Sequence, residues 1–239
     1  MSYLKDLRAF YNWLIKKKYK TDTSDWFEEI DQPVVINEGI KYISREDLAI
    51  FHNHVMMNRK FETEFQMYLY QAIFMTYMWC GTRFNETRKI LRKNVELENR
   101  IIWLEAADTK SKRKDKVPIH SNLYPILKKY IQCRDAQKID NPYLFFYTTK
   151  DRPISEKTLR RWMEKIKTTM KTMYHVKSPI RFHAMRHSLG HFSIKDGVDL
   201  PTVQKLLRHS SPDITTKYYV HTGNKELLEG IERYNPLGL

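Results

Sequence analysis

Four short segments carry residues that could handle a phosphate. In Gly81-Thr82-Arg83-Phe84-Asn85-Glu86, Arg83 and Glu86 stand three apart, the spacing that puts two side chains on one helical face. In Arg181-Phe182-His183-Ala184-Met185-Arg186-His187, His183 and Arg186 have the same spacing. A guanidinium fits two non-bridging phosphate oxygens as a fork. An imidazole can donate to a third oxygen or move a proton. Lys110, Lys112, Arg113, Lys114 and Lys116 crowd one polar run. So many cations repel one another unless an anion neutralises them, which favours a phosphate-facing role. The fourth segment is Leu206-Leu207-Arg208-His209-Ser210-Ser211 and then Thr215-Thr216-Lys217-Tyr218-Tyr219-Val220-His221. A tyrosine is almost wholly neutral at pH 7. It becomes a nucleophile only where a base takes its proton and cations stabilise the charge that develops.

Each segment has a plainer reading. An Arg–Glu pair is commonly a surface ion pair, a basic turn is commonly solvated, and a tyrosine pair in a helix is commonly packing. His183, His187 and His191 recur every four residues and could line up as metal ligands. A metalloprotease helix carries Glu after the first His of its pair, whereas Ser188 follows His187. With no CxxC and no evident acidic third ligand, the sequence argues against a metal.

The elements that must position these residues are mostly helical. Leu4, Leu7, Phe10, Tyr11 and Leu14 make an apolar stripe over 2–18. Residues 20–43 have no clear period and contain Pro33, which reads as a linker or extended arm. Ser44 reads as an N-cap with Glu46 and Asp47 in the first turn of a helix to about Asn58. A more apolar helix over about 62–80, stopped by Gly81, is the expected core. Ile101–Leu104 and Val117–Ile119 read as two strands of a β-hairpin with the basic run at its tip. Helices are expected near 121–136, 155–173 (capped by Ser155), 182–196, 200–208, 213–221 and 224–233, with Tyr143–Tyr147 as a short strand. The fold class is therefore α+β, mostly helical, with a small antiparallel sheet.

Composition sets the bounds. The chain has 239 residues, 42 Lys+Arg against 28 Asp+Glu, and a net charge of +14. That excess is the electrostatic footprint of a polyanion binder. The length allows a sizeable core without disulfides, and 41% hydrophobic residues exclude a disordered chain. The longest near-continuous apolar run, about Ala72–Trp79, is too short for a membrane span of roughly 20 residues. The charged start MSYLKDLRAF does not read as a signal peptide. Two cysteines, Cys80 and Cys133, make no disulfide framework and read as reduced thiols of an intracellular, cytoplasmic protein. With 7 Gly and no GxxxxGK[ST], a P-loop nucleotidase is excluded.

Taken in order, the segments resemble the tyrosine recombinase (phage integrase) family over roughly residues 38–234. Gly81–Glu86 is similar to its first arginine box, G-x-R-x-x-E, and His183–His187 to its H-x-x-R-H box. Asp196–Leu200 with Val203–Ser210 is similar to G-x-x-L-x-x-V-Q-x-L-L-G-H-S, and Thr215–His221 to T-T-x-x-Y-x-H. The resemblance implies that Arg83 and Arg186 clamp the scissile phosphate. His183 would hydrogen-bond it and assist proton transfer, and His209 would bind it too. Lys110, eight residues before Pro118, would protonate the leaving 5′-oxygen. Glu86 would support Arg83. Lys112, Arg113, Lys114 and Arg208 would contact DNA. The T-T-x-x-Y-x-H frame selects Tyr219 as nucleophile, whereas counting nine residues on from His209 selects Tyr218; the frame that includes both threonines and His221 is preferred.

The resemblance further implies cleavage and rejoining of double-stranded DNA through a 3′-phosphotyrosyl bond, with no cofactor and no metal. Four protomers would act around two duplexes, and the Lys225–Tyr234 helix would dock either on a neighbour or on its own domain. Two departures stand out. Arg208 occupies the position of the family's usual glycine, where it would crowd the turn or add a phosphate contact. Family members also usually carry a helical core-binding domain of roughly one hundred residues first, within ordinary domain sizes. Here 1–33 reads as a terminal helix and linker left from such a domain, and 34–239 as the catalytic domain with its C-terminal docking helix. That organisation fits a minimal or truncated integrase, a split-gene product or an excised piece. A topoisomerase-like nicking-closing enzyme of type IB and a non-cutting DNA-binding module are the alternatives.

Overall fold

The computed structural model describes residues 2–20, 42–109, 114–147 and 151–208. Lys110, Lys112, Arg113, His209, Tyr218, Tyr219 and the expected helices near 213–221 and 224–233 lie outside these residues. The chain divides into two compact units, 1–39 and 40–239. The first holds helix α1, Ser2–Lys16, where the apolar stripe predicts it. Beyond its end Lys20 Nζ donates to the Tyr11 hydroxyl at 2.7 Å and sits over that ring.

The second unit is built on α3, Glu64–Cys80. Its first turn is capped by Thr63, which accepts from the Gln66 amide, a cap the sequence reading passes over. Leu69 to Tyr77 are all buried, so this helix is covered around its whole circumference, as a central helix is. Helices α2 (Arg45–Met57), α4 (Phe84–Arg88), α5 (Tyr124–Ala136) and α7 (Phe182–Lys195) all pack on it. Ser44 caps α2 by accepting from the Asp47 amide at 3.1 Å, as expected. Helix α6, Glu156–Met173, is capped by Ser155 and buries Leu159, Trp162, Met163, Ile166 and Met170 along one stripe, leaving Lys157, Arg160, Arg161 and Lys165 exposed. Helix α8, Leu200–Leu207, follows α7 and buries Val203 and Leu207.

The sheet has the order β1-β2-β3: Val95–Glu96, Ile101–Leu104 and Asp115–Pro118, all antiparallel. Ile102 faces Val117, and both are buried. The period-2 alternation of β2 thus turns Ile102 and Leu104 inward while Ile101 and Trp103 stay partly exposed. The two-residue β1 is too short to show the alternation that marks a strand in sequence.

Tyr143–Tyr147 corrects the sequence reading. It forms no strand, only one bridge between Leu91 and Tyr143. Side chains take its Tyr143 and Leu144 carbonyls, and the Ile154 amide takes that of Phe145 at 2.8 Å. Arg134 donates to the carbonyls of Asn141 and Tyr143, and the Tyr130 hydroxyl donates to that of Leu144 at 2.6 Å. The segment stays in the core, with Leu144, Phe145 and Phe146 buried.

Candidate active site

The site begins where α3 stops. Gly81 takes up the left-handed conformation (φ +55°) that ends the helix. The chain turns through Thr82 and starts α4 at Arg83. Arg83 is the N-cap of that helix, with extended backbone (φ −70°, ψ 155°), rather than a residue within it. Glu86, three residues on, accepts from the Arg83 amide at 2.8 Å through Oε2 and from Arg83 Nη1 at 2.6 Å through Oε1. The spacing that suggested a shared helical face is instead a capping arrangement that folds the guanidinium back onto the carboxylate. Beneath it the hydroxyls of Thr82 and Thr87 meet in a buried hydrogen bond.

Helix α7 supplies the second arginine. Arg186 is 3% exposed. Its Nη1 donates to the Gly81 carbonyl at 2.7 Å, and its Nη2 donates to the Leu207 carbonyl. Arg83 Nη2 donates to the next carbonyl, that of Arg208, at 3.1 Å. The two guanidiniums thus meet on consecutive carbonyls at the C-terminus of α8, where unsatisfied backbone oxygens attract positive charge. The residue that follows in the chain is His209. Arg83 keeps about a quarter of its side chain exposed (26%), so its guanidinium is the open one of the pair.

His183 lies one turn before Arg186 on α7, its ring 5.0 Å from that of His187. Burial, with Arg186, Arg181 and Arg83 adding positive charge, holds the His183 imidazole below its ordinary value. Burial, then His183, Arg186 and Arg181, push His187 down to about 4. Both imidazoles are therefore neutral near pH 7. His191 stacks on Tyr42, ring centroids 3.9 Å apart, and among the described residues no three His, Cys, Asp or Glu side chains converge on a metal position.

Arg208 is placed differently from the reading that counted it among DNA-contacting cations. It caps α8 in the left-handed conformation (φ 52°, ψ 49°). This explains the family's glycine there, because a side chain costs about 1–2 kcal/mol in that region. Its guanidinium turns inward: Nη2 donates to Glu86 Oε2 at 3.0 Å, and the two side chains are 4% and 1% exposed. Burial pushes the Glu86 carboxyl up, but the Arg208 charge and the Arg83 donors outweigh it and hold Glu86 below the usual carboxylate range. Asp115 on β3 approaches Arg208 Nε at 4.0 Å, a contact that nothing in the sequence signals.

The hairpin's described flanks carry the rest. Lys89 donates to Asp108 at 2.7 Å at its base, two residues before Lys110. Lys114 is exposed and lies 5.3 Å from the Trp103 ring centroid. The structure thus joins Arg83, Glu86 and Arg208 by hydrogen bonds at the end of α8, with Arg186 on the adjoining Leu207 carbonyl and His183 on the same helix as Arg186.

The sequence profile of the phage integrase family matches residues 52–226. A tyrosine recombinase of Thermosipho africanus is 24% identical over 233 residues, covering 97% of this chain and 74% of that protein. Tyrosine recombinase XerC of Thermodesulfovibrio yellowstonii is 25% identical over 240 residues, covering 98% and 74%. Among solved structures, the Tn1549 transposon integrase in complex with a circular intermediate DNA superimposes with a TM-score of 0.72 at 17% identity, covering 96% of this chain and 77% of that one. The XerA recombinase superimposes with a TM-score of 0.63 at 21% identity, covering 97% and 84%. These likenesses show that the fold is that of the tyrosine recombinase catalytic domain. No helix among the described residues is long and apolar enough to cross a membrane. With the profile spanning most of its length and both arginine boxes meeting at one place, the chain belongs to the phage integrase family.

Proposed function

We propose that this protein is a site-specific DNA recombinase that cuts and rejoins double-stranded DNA through a 3′-phosphotyrosyl intermediate, with residues 34–239 as its catalytic domain. The observation that carries the reading is the convergence of Arg83 and Arg186 on the last carbonyls of α8, one residue before His209. Two forked cations at one place suit a tetrahedral phosphate whose negative charge grows in the transition state. The Tyr219 phenol oxygen attacks phosphorus and its proton passes to a base. His183, held neutral near pH 7 by burial and neighbouring arginines, is suited to accept it. The bond from phosphorus to the 5′-oxygen breaks, and Lys110 gives that oxygen its proton. A 5′-hydroxyl then attacks the phosphotyrosyl bond, restoring the tyrosine and joining a new strand. The covalent intermediate conserves the bond energy, so neither ATP nor a metal enters the balance. His209 would add a donor to the phosphate, and Lys112, Arg113 and Lys114 would hold the duplex. Strand exchange would take four protomers on two duplexes, the Lys225–Tyr234 segment docking between them.

The test is covalent trapping. Wild type, Tyr219→Phe and Tyr218→Phe are each mixed with nicked duplexes carrying a randomised window, and adducts are resolved on a denaturing gel. An adduct that survives Tyr218→Phe and disappears with Tyr219→Phe is expected. Disappearance only with Tyr218→Phe would move the nucleophile by one residue. Duplex binding without any wild-type adduct would overturn the recombinase reading.

A further inference from the structure

Arg208 closes a ring of hydrogen bonds that a glycine could not close. Arg83 Nη1 donates to Glu86 Oε1 at 2.6 Å, Arg208 Nη2 donates to Glu86 Oε2 at 3.0 Å, and Arg83 Nη2 donates to the Arg208 carbonyl at 3.1 Å. Each link joins two of the three residues, so the ring ties α4 to the end of α8. A glycine at 208 would keep the carbonyl and lose the side-chain link. It would also change the charge balance. Glu86 facing Arg83 alone forms a neutral pair, whereas Arg208 brings a second guanidinium onto that carboxylate, with Asp115 4.0 Å from its Nε. A buried carboxylate accepts only as many donors as its lone pairs allow, and here three of them are taken: the Arg83 amide, Arg83 Nη1 and Arg208 Nη2. Both the Glu86 and the Arg208 side chains are all but buried, so neither charge has water to fall back on.

We propose that Arg208 is a positioning residue of the active site: through Glu86 it fixes the guanidinium of Arg83 toward the phosphate. The Arg208 guanidinium itself is held by Glu86 and the Leu206 carbonyl. The proposal rests on the recombinase reading for its consequence in catalysis, but the fixing of Arg83 can be observed without DNA.

Two measurements on wild type, Arg208→Gly and Arg208→Lys test it. The glycine variant suits the left-handed backbone, so loss of fold is not the expected outcome. In the first, nitrogen-15 NMR follows the guanidinium resonances of Arg83, assigned with Arg83→Lys. Wild type is expected to give slowly exchanging, separately resolved Nη signals. Arg208→Gly should collapse them toward the averaged signal of a solvent-exposed arginine, and Arg208→Lys should lie between. In the second, single-turnover adduct formation is measured on the randomised nicked duplexes at saturating DNA. Arg208→Gly should slow it by about tenfold to a hundredfold, as small misplacements at a reacting centre do. DNA affinity should change much less, and Arg208→Lys should recover part of the rate. Arg83 signals unchanged by Arg208→Gly would overturn the proposal, whatever the DNA does. So would loosened signals with an undiminished rate. A wild type that forms no adduct defeats the reading of function instead, and the NMR comparison still decides whether Arg208 fixes Arg83.

Discussion

At the scale of single residues the site is a problem of charge at close quarters. His183 and His187 share α7 with Arg186, and Arg181 is the N-cap of that helix, so protonating either imidazole adds a charge to a place already positive. Burial and those neighbours push His187 down to about 4 from an ordinary 6.5. Unfolded, the same histidine takes up its proton near 6.5, so between about 6.5 and about 4 the unfolded chain binds more protons than the folded one. Stability contributed by neutral His187 is therefore full near pH 7 and is lost as pH falls through that window, with no further loss below it. Denaturant midpoints at pH 7, at mid-window and near the window's lower end should decline, and His187→Gln should flatten the decline. An equal decline in the variant would show that other groups are responsible. The spacing of these histidines is plain in the sequence. Their neutrality is not, because it comes from burial and from Arg181 and Arg186 being folded against them.

At the scale of elements, the junction between α3 and α4 carries the site, and Gly81 is its hinge. Its carbonyl takes the Arg186 Nη1 donor at 2.7 Å. Its φ of +55° is costly for any residue with a Cβ, and a Cβ there would lie 2.8 Å from Leu189 Cδ2. The leucine end can shift, so the backbone conformation sets most of the cost. Gly81→Ala should lose about 1–2 kcal/mol, seen as a lower urea midpoint at an unchanged slope. A midpoint equal to wild type would mean the turn relaxes without strain. This junction was half legible. Gly81 as a helix stop and Glu86 as the partner of Arg83 follow from residue types and spacing, as do the serine caps at Ser44 and Ser155. That Arg83 would cap α4 from outside the helix depends on Glu86 reaching back to its amide, which spacing alone does not distinguish from two residues on one face. Tyr143–Tyr147 failed for a related reason. Its composition is that of a strand, but Arg134 and Tyr130 satisfy its carbonyls from α5, and only the fold brings them there. Arg208 shows the same limit: its departure from glycine is visible, whereas the direction of its side chain is decided by buried Glu86 on a distant element.

At the scale of the whole molecule, the excess of 42 basic over 28 acidic residues sets how the protein would meet DNA before any chemistry. Much of that excess does not sit in the site. Arg186 and Arg208 are buried against carbonyls and Glu86, while Lys114 and Lys116 beside the hairpin tip and Lys157, Arg160, Arg161 and Lys165 along α6 are exposed. The buried cations are held by carbonyls and Glu86, and the exposed ones can follow a phosphate backbone. Exposed lysines that neutralise phosphates release condensed counterions, so affinity should fall linearly with salt on a logarithmic plot, by about 0.9 per phosphate neutralised. A random-sequence duplex is the suitable probe, since phosphate contacts carry no sequence information. Titrations across ionic strength should therefore give a slope corresponding to several phosphates. Lys114, held near the Trp103 ring at the flank of the hairpin, is a direct check on where those contacts lie. Lys114→Ala should make the slope shallower by about 1 and weaken binding to every sequence alike. An unchanged slope in that variant would place the phosphate track away from the hairpin. A flat dependence in wild type would mean that the charge excess serves something other than DNA.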